Sequence, residues 1–244
     1  MNLDSKAVLV IGAGDATGGA IARRFAREGF TACVTRRTAA KLAPLISQIE
    51  AEGGKAHAFG SDARREADVA ALFETIERDI APIEVLIFNV GGNVRFPIRD
   101  TTTRVYTKVW EMCALAGFLN GREAATRMVP RGRGTILFTG ATASVRGGSG
   151  YAAFASGKHA LRALAQSMAR ELGPEGIHVA HVVIDGAIDT DFTRSRMPDQ
   201  YESRKQSGGI LNPESIAENY WMLHSQPRDA WTQELDVRPW SEKW

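Results

Sequence analysis

The sequence of 244 residues predicts an α/β fold in which a doubly wound parallel sheet carries helices on both faces. Short apolar segments alternate along the chain with longer segments of helical period. A glycine-rich turn separates the first apolar segment from the first helical one. No internal repeat and no change of composition divides the chain. We therefore expect residues 1–244 to form a single domain.

Seven elements are predicted in the first part of the chain, and they alternate between strand and helix. In the first helix, Ile21, Ala22 and Phe25 lie at helical spacing before Gly29, which suits a cap at the carboxyl end. Alternating strands and helices are joined by crossover connections, so the strands should be parallel. The predicted elements are a strand over 6–11, a helix over 20–27, a strand over 31–35, a helix over 39–52, a strand over 55–60, a helix over 66–79 and a strand over 85–88.

The second half of the chain continues this alternation. The segment from 191 to 209 is polar and contains Met197-Pro198 and Gly208-Gly209. We expect it to be a long insertion that acts as a mobile substrate lid. The other predicted elements are a strand over 135–138, a helix over 150–172, a strand over 178–184, a short helix over 213–223 and a strand over 234–237.

Composition excludes several classes of partner. The net charge of +2 comes from 30 basic and 28 acidic residues that are interspersed, which argues against nucleic acid and anionic membrane. Residues 1–4 do not resemble the start of a signal peptide, and no apolar stretch approaches the roughly 18 residues that span a bilayer. Cys33 and Cys113 lie in apolar segments without ligand spacing, so we expect buried free thiols and no metal site. These features predict a soluble protein of the reducing cytoplasm.

The turn from Gly12 to Gly19 lies where the first predicted strand meets the first predicted helix. Glycines let one backbone segment approach another, or a ligand, at close range. The free amides and the dipole of the helix favour an anion such as a pyrophosphate. A purely steric need for glycine in a tight turn is the alternative, but the position at the first crossover favours a dinucleotide.

The turn resembles the Thr-Gly-x-x-x-Gly-x-Gly segment of the short-chain dehydrogenase/reductase family, and the resemblance extends over nearly the whole chain. Gly12 and Gly18 stand at the first and third glycines, whereas Ile11 replaces the threonine and Ala16 the middle glycine. The resemblance implies a Rossmann-type oxidoreductase with a nicotinamide cofactor and a small-molecule substrate. It also implies a homodimer or homotetramer that pairs through the helix at 150–172. The cofactor-binding residues implied in the turn are Gly12, Gly14, Asp15, Thr17 and Gly18.

Two arginines, Arg36 and Arg37, follow the second predicted strand. Relatives that use NAD usually have an acidic residue here, which binds the ribose hydroxyls. Guanidinium groups instead suit a 2′-phosphate through charge-assisted hydrogen bonds. The cofactor is therefore predicted to be NADP(H) rather than NAD(H), with solvated surface charge as the alternative.

The same resemblance implies further cofactor contacts along the chain. Asp62 and Ala63 match the residues beside the adenine ring, and Asp185 stands where the family has a proline before the segment that meets the nicotinamide carboxamide. A lysine of the family holds the nicotinamide ribose, and Lys158 matches it. The remaining implied contacts are Asn89, Val90, Gly91, Ile188 and Thr190.

The expected catalytic groups are largely missing. The family has a tyrosine four residues before the lysine, a serine 13 residues before that tyrosine, and an asparagine in the preceding helix. Here Lys158 is present, but Phe154, Ala141 and Ala114 stand at the other three positions. The usual carbonyl-reduction mechanism therefore cannot run unchanged.

One tyrosine offers a replacement. Tyr151 precedes Lys158 by seven residues, a spacing similar to that of enoyl-thioester reductases, and the two side chains can share a helical face. We predict Tyr151 and Lys158 as the catalytic pair, although Tyr151 could instead be a wall of the pocket. Thr142 and Ser144 are interpreted as turn formers. The predicted function is an NADP(H)-dependent oxidoreductase acting on a small carbonyl or activated alkene; the alternative is a nucleotide-binding pseudoenzyme that serves as a sensor or inactive subunit.

Overall fold

Parallel strands form the central sheet of the computed structural model, which describes residues 5–242. The strands are β1 (Ala7–Ile11), β2 (Thr31–Arg36), β3 (Lys55–Gly60), β4 (Ile83–Phe88), β5 (Gly134–Thr139), β6 (Ile177–Ile184), β7 (Ala187–Ile188), β8 (Ile210–Leu211) and β9 (Glu234–Val237). The central sheet has the order β3-β2-β1-β4-β5-β6-β9, while β7 and β8 pair with each other. Between β1 and β4 the order reverses, which opens a crevice beyond the carboxyl ends of the strands. The predicted α/β fold with a parallel sheet is confirmed.

Helices cover both faces of this sheet. They are α1 (Thr17–Arg27), α2 (Ala43–Ala51), α3 (Glu66–Asp79), α4 (Thr103–Trp110), α5 (Ala116–Met128), α6 (Ala152–Leu172), α7 (Asp191–Arg196), α8 (Pro198–Gln206) and α9 (Pro213–His224). One face packs against α1, α2 and α9, and the other packs against α3, α5 and α6. Because the central strands are covered on both sides, β1, β4 and β6 are buried along their whole length.

The predicted bounds agree with the structure for β3, α3 and β9 and differ by a few residues for most other elements. The sequence interpretation placed a helix only around Ala114, whereas the helical stretch runs from Thr103 to Met128. In the structure it contains a π-helical turn, Glu111–Leu115, between α4 and α5. The wider turn rotates the apolar face of the helix, which hides the helical period in the sequence.

The polar segment at 191–209 is not a loop over most of its length but forms α7 and α8. The Thr190 hydroxyl caps α7 by accepting a hydrogen bond from the Thr193 amide at 2.9 Å. The buried Tyr201 donates its hydroxyl hydrogen to Asp189, whose carboxylate also accepts from Lys205 Nζ at 3.0 Å. Surface helices and loops have similar polar composition, so the sequence could not separate them; the function of the segment as a lid stays a prediction.

No helix within residues 5–242 is long and apolar enough to cross a membrane. The first four residues, on which the expected absence of a signal peptide partly rests, lie outside the described part of the chain. Cys33 and Cys113 are buried free thiols, as predicted. Burial raises the pKa of the Cys33 thiol to about 12, so it stays protonated at neutral pH.

Candidate functional site

The glycine turn, residues 12–19, lies at the carboxyl end of β1 beside the reversal of strand order. Gly12 has a φ of +84°, and a Cβ atom there would lie 2.8 Å from the Asn89 carbonyl oxygen. A Cβ atom on Gly18 would lie 2.6 Å from the Gly12 carbonyl oxygen. Around Gly14, by contrast, the nearest atom is Arg36 Nη2 at 3.9 Å. Backbone packing therefore requires glycine at 12 and 18 but leaves open space at 14.

The amino end of α1 completes this turn. The helix begins at Thr17, and Ala16 before it supplies no side-chain cap for the first amides. No acidic residue lies in the first helical turn, while Asp15 points outward with a side chain that is 86% exposed. The uncapped amides and the dipole make this end of α1 suited to an anion.

A cavity of about 220 Å³, the adjacent cavity, lies on one side of the turn. Asp62 in its wall accepts two hydrogen bonds from the Arg64 guanidinium, at 2.9 Å from Nε and 2.6 Å from Nη2. This guanidinium holds the pKa of Asp62 at about 2. Arg36 Nη1 makes only long contacts, at 3.4 Å to Asp15 and 3.4 Å to the Lys41 carbonyl oxygen. The predicted cofactor residues that this cavity brings together are Gly12, Arg36, Arg37, Asp62, Ala63, Val90 and Gly91.

A larger cavity of about 490 Å³, the central cavity, lies on the other side of the turn. Asn89 fixes its rim by donating an amide hydrogen to the Gly12 carbonyl oxygen at 3.1 Å. The predicted site residues in its wall are Thr17, Asn89, Val90, Gly91, Tyr151, Lys158 and Ile188. Thr190 lines a third space, the outer cavity of about 830 Å³. Asp15 lies outside the adjacent, central and outer cavities.

Lys158 projects from α6 into the central cavity and is almost fully buried. Its ammonium donates to the Thr139 carbonyl oxygen at 2.7 Å and to the Val90 carbonyl oxygen at 3.0 Å. Burial lowers the pKa of Lys158 below its ordinary value. No carboxylate pairs with this ammonium within residues 5–242, and one of its three N–H groups is left for a ligand.

Apolar side chains occupy the positions at which the family resemblance implies hydroxyl and amide groups. Phe154 is 7% exposed and belongs to a buried apolar cluster that also contains Val109 and Cys113. Phe154 and Ala141 both line the central cavity, and Ala114 lies buried in the π-helical turn. These three side chains carry no group that could transfer a proton.

Tyr151 lies immediately before α6, so the predicted helix begins two residues too early. Its ring lines both the central and the outer cavity. The phenol hydroxyl makes no hydrogen bond to any residue in the described part of the chain. Tyr151 and Lys158 therefore line one cavity, with Tyr151 at the N-cap of α6 and Lys158 within the helix.

The sequence interpretation did not identify a polar cluster formed by Asp185, Thr142 and Arg146. Asp185, at the end of β6, is 4% exposed and accepts a hydrogen bond from Thr142 Oγ1 at 2.5 Å. Arg146 Nη2 lies 3.3 Å from the same carboxylate oxygen. Thr142 thus binds Asp185 and is not only a turn former, whereas Ser144 does stabilise its own turn by accepting from the Ala141 amide. Polar residues just after adjacent parallel strands were the signal that could have identified the cluster.

Comparison with known proteins gives matches over most of the chain. Residues 6–201 match the family model described as short chain dehydrogenase. A solved short-chain dehydrogenase from Rhodopseudomonas palustris is 51% identical, with a TM-score of 0.83 over 96% of this chain and 99% of that one. Gluconate 5-dehydrogenase of Gluconobacter oxydans is 30% identical over 82% of this chain and 77% of its own length. A 7α-hydroxysteroid dehydrogenase solved with NADH and 7-oxo glycochenodeoxycholic acid is 27% identical, with a TM-score of 0.88 over 97% of this chain and 94% of that one.

Proposed function

The chain belongs to the short-chain dehydrogenase family, and from this premise we propose that it is an NADP(H)-dependent oxidoreductase acting on a small carbonyl compound or an activated alkene. The observation that carries the proposal is the central cavity, where the amino end of α1, the ammonium of Lys158 and the hydroxyl of Tyr151 face one space. An anion site, a ribose-binding cation and a proton donor are the parts that such a reaction needs.

The residues around the turn fit a dinucleotide. The first amides of α1 have no side-chain cap, and they can bind the pyrophosphate. The spare N–H of Lys158 can bind the ribose hydroxyls of the nicotinamide half. The cofactor supplies the hydride when it is bound. We assign its binding to Gly12, Gly14, Asp15, Thr17, Gly18, Arg36, Arg37, Asp62, Ala63, Asn89, Val90, Gly91, Lys158, Ile188 and Thr190.

The preference for NADP(H) over NAD(H) rests on charge at the end of β2. Arg36 and Arg37 line the adjacent cavity, and the one carboxylate in its wall, Asp62, is already paired with Arg64. Two guanidinium groups with few competing bonds suit a 2′-phosphate. The 7α-hydroxysteroid dehydrogenase was solved with NADH, which supports binding of a nicotinamide nucleotide by this chain. The preference for NADP(H) over NAD(H) is the property to be tested.

The chemistry that we propose departs from the family's usual pattern. Phe154, Ala141 and Ala114 stand where the usual tyrosine, serine and asparagine are expected, so the proton must come from another group. Tyr151 has a hydroxyl without a partner and lines the same cavity as Lys158. We assign it to donate a hydrogen bond or proton to the substrate oxygen, while Lys158 orients the ribose.

A titration and a variant test this assignment. NADPH should bind more tightly than NADH in a fluorescence titration, and NADPH should be oxidised with at least one member of a panel of aldehydes, ketones and enoyl thioesters. Tyr151→Phe should lose most of this turnover, because the hydroxyl is gone, and should bind NADPH as before. Tyr106→Phe, at an exposed position of α4 outside the central cavity, is the matched control: it removes a hydroxyl, keeps the apolar ring at the surface, and should keep wild-type turnover.

Two outcomes would count against the proposal. Unchanged turnover in Tyr151→Phe would refute the donor assignment. Stoichiometric binding of NADPH without oxidation across the whole panel would favour the second function, a nucleotide-binding sensor or inactive subunit, for which the apolar Phe154, Ala141 and Ala114 are the motivation.

We also propose that the chain forms a homodimer or homotetramer. Three large apolar side chains, Tyr106, Trp110 and Phe118, are each at least 40% exposed along α4 and α5. These helices pack beside α6, through which the family resemblance implies pairing. Contact between two copies would remove this apolar surface from water. A monomeric mass in solution would contradict the proposal.

A further inference from the structure

Three arginines line the outer cavity, which adjoins the proposed reaction site. Arg146 stands on the inner side, and Arg196 and Arg204 come from α7 and α8. The outer and central cavities share Tyr151 and Arg146 in their walls, so they form a continuous space. The space beside Tyr151 is therefore open toward these arginines.

Two of these cations lack acidic partners. Arg196 lies 5.6 Å above the ring of Phe192, and neither it nor Arg204 forms an ion pair within residues 5–242. The neighbouring Arg194 is different, since it binds Asp189 and Asp191. Arg194 thus pairs with nearby carboxylates, whereas Arg196 and Arg204 of the same two helices line the cavity without an ion pair in the described part of the chain.

The acidic residues of the wall cancel only part of this positive charge. Asp185 is buried and already bound by Thr142 and Arg146. Glu242 is the other carboxylate in the lining, so three arginines face two carboxylates there. Unpaired guanidinium groups around a concave space attract an anion, since the field of several cations adds within a cleft.

Arg146 is the best oriented of the three. Its side chain is 45% exposed, and one nitrogen is held at 3.3 Å by the Asp185 carboxylate. Thr142, after β5, and Asp185, after β6, fix this contact to the ends of two central strands. A guanidinium has five N–H donors in a planar fork, so several remain free to bind a carboxylate or phosphate.

We propose that the substrate carries an anionic group, a carboxylate or a phosphate ester, that Arg146 binds at the junction of the two cavities. Arg196 and Arg204 attract the same group from the outer wall. Asp185 and Thr142 are positioning residues that hold Arg146. This inference rests on the proposed function, because it names the substrate class of the same site.

Matched pairs of compounds test the inference in assays of NADPH oxidation. One pair is 4-oxopentanoate and its methyl ester, which differ in the carboxylate. The other pair is acetoacetyl-coenzyme A and the N-acetylcysteamine thioester of acetoacetate, which differ in the phosphates. The anionic member of at least one pair should have a kcat/KM about tenfold or more above that of its neutral partner. The pair that shows the preference identifies the carboxylate or the phosphate as the source.

Variants test whether Arg146 and Asp185 cause the preference for the anionic compound. Arg146→Gln should remove the preference, mainly through KM of the anionic member, and Arg146→Lys should restore part of it, because charge is kept without the fork. Asp185→Asn should raise KM for the anionic member more than it lowers kcat. Arg78→Gln is the control, since Arg78 is exposed on α3 and pairs only with Glu74 and Asp79 of its own helix.

Equal kcat/KM within both pairs would overturn the inference, and so would a preference that persists in Arg146→Gln. If no compound is turned over, ligand binding to the NADPH complex tests the inference instead. In that case 4-oxopentanoate or coenzyme A must raise the melting temperature of the NADPH complex in the wild type but not in Arg146→Gln. Failure of this binding test refutes the anionic substrate, whereas failure of turnover alone refutes only the proposed oxidoreductase activity.

Discussion

The glycine turn at 12–19 and the wall of the central cavity across from it are constrained in different ways. We call this second region the reaction wall and define it as Ala141, Thr142, Arg146, Tyr151 and Phe154. In the turn, neighbouring backbone atoms leave no room for a side chain at Gly12 or Gly18. In the reaction wall, the side chains face a cavity, so the backbone accepts many residue types. Close backbone contacts therefore require glycine at 12 and 18, whereas positions that face the cavity can carry residues other than those implied by the family resemblance.

The largest expected effect comes from adding one methyl group to the turn. In Gly18→Ala, the new Cβ would lie 2.6 Å from the Gly12 carbonyl oxygen and 2.9 Å from Ala13 Cα. Both are backbone atoms, so the turn must shift, which we expect to cost about 3 kcal/mol of unfolding free energy. NADPH affinity should fall at least a hundredfold, as measured by fluorescence titration alongside urea unfolding.

Gly14→Ala is the matched control for this prediction. Its Cβ would have only Arg36 Nη2 at 3.9 Å, in open space. The fold should therefore tolerate it with little loss of unfolding free energy. If Gly14→Ala and Gly18→Ala destabilised the protein equally, close backbone contact would not be what requires glycine in the turn.

The same contrast explains which features the sequence could predict. The parallel sheet was predictable, because segments buried on both faces must be apolar and crossovers set their direction. The π-helical turn at Glu111–Leu115 was not, because a single wide turn shifts the apolar period without any marker residue. The contact between Thr142 and Asp185 was not predictable either, since the two residues are 43 positions apart and meet only through the neighbouring positions of β5 and β6.

A buried imidazole beneath the reaction wall gives the second prediction. His181 on β6 is fully buried, and burial lowers its pKa to about 4, although Glu234 opposes this shift from 3.1 Å away. Lys158 and Arg162 also face the ring and disfavour its charged form. The native state therefore keeps His181 neutral under mildly acidic conditions, while the unfolded chain protonates it below its ordinary pKa near 6.5.

The sign of the pH effect follows from this difference. The unfolded state binds the extra proton, so stability is fully present above pH 6.5 and is lost as the pH falls toward 4. His181 alone should cost about 2 kcal/mol of unfolding free energy between pH 6.5 and 5. Urea unfolding at several pH values measures the slope, and His181→Asn should reduce it. An equal slope in this variant would mean that other groups, such as the half-buried His224, cause the acid sensitivity.

The smallest expected effect comes from removing the positive charge of Arg36 beside the glycine turn. Its outcome can contradict the contrast between the turn and the reaction wall. Arg36 makes only two contacts of 3.4 Å, to Asp15 and to the Lys41 carbonyl oxygen, so the fold does not depend on it. Arg36→Gln should leave the melting temperature unchanged. It should weaken NADPH binding about tenfold and leave NADH binding as it was, since one charge-assisted contact to the 2′-phosphate is lost.

Salt and a control variant separate this reading from a general loss of positive charge. The wild-type affinity for NADPH should decrease with salt more steeply than that of Arg36→Gln, because exposed charges are screened. Arg27→Gln, which removes a cation of α1 that binds Glu52, should change neither affinity. If Arg36→Gln weakened NADH binding as much as NADPH binding, the arginine would support the turn itself. The turn would then depend on a side chain as the reaction wall does, and the contrast between the two regions would not hold.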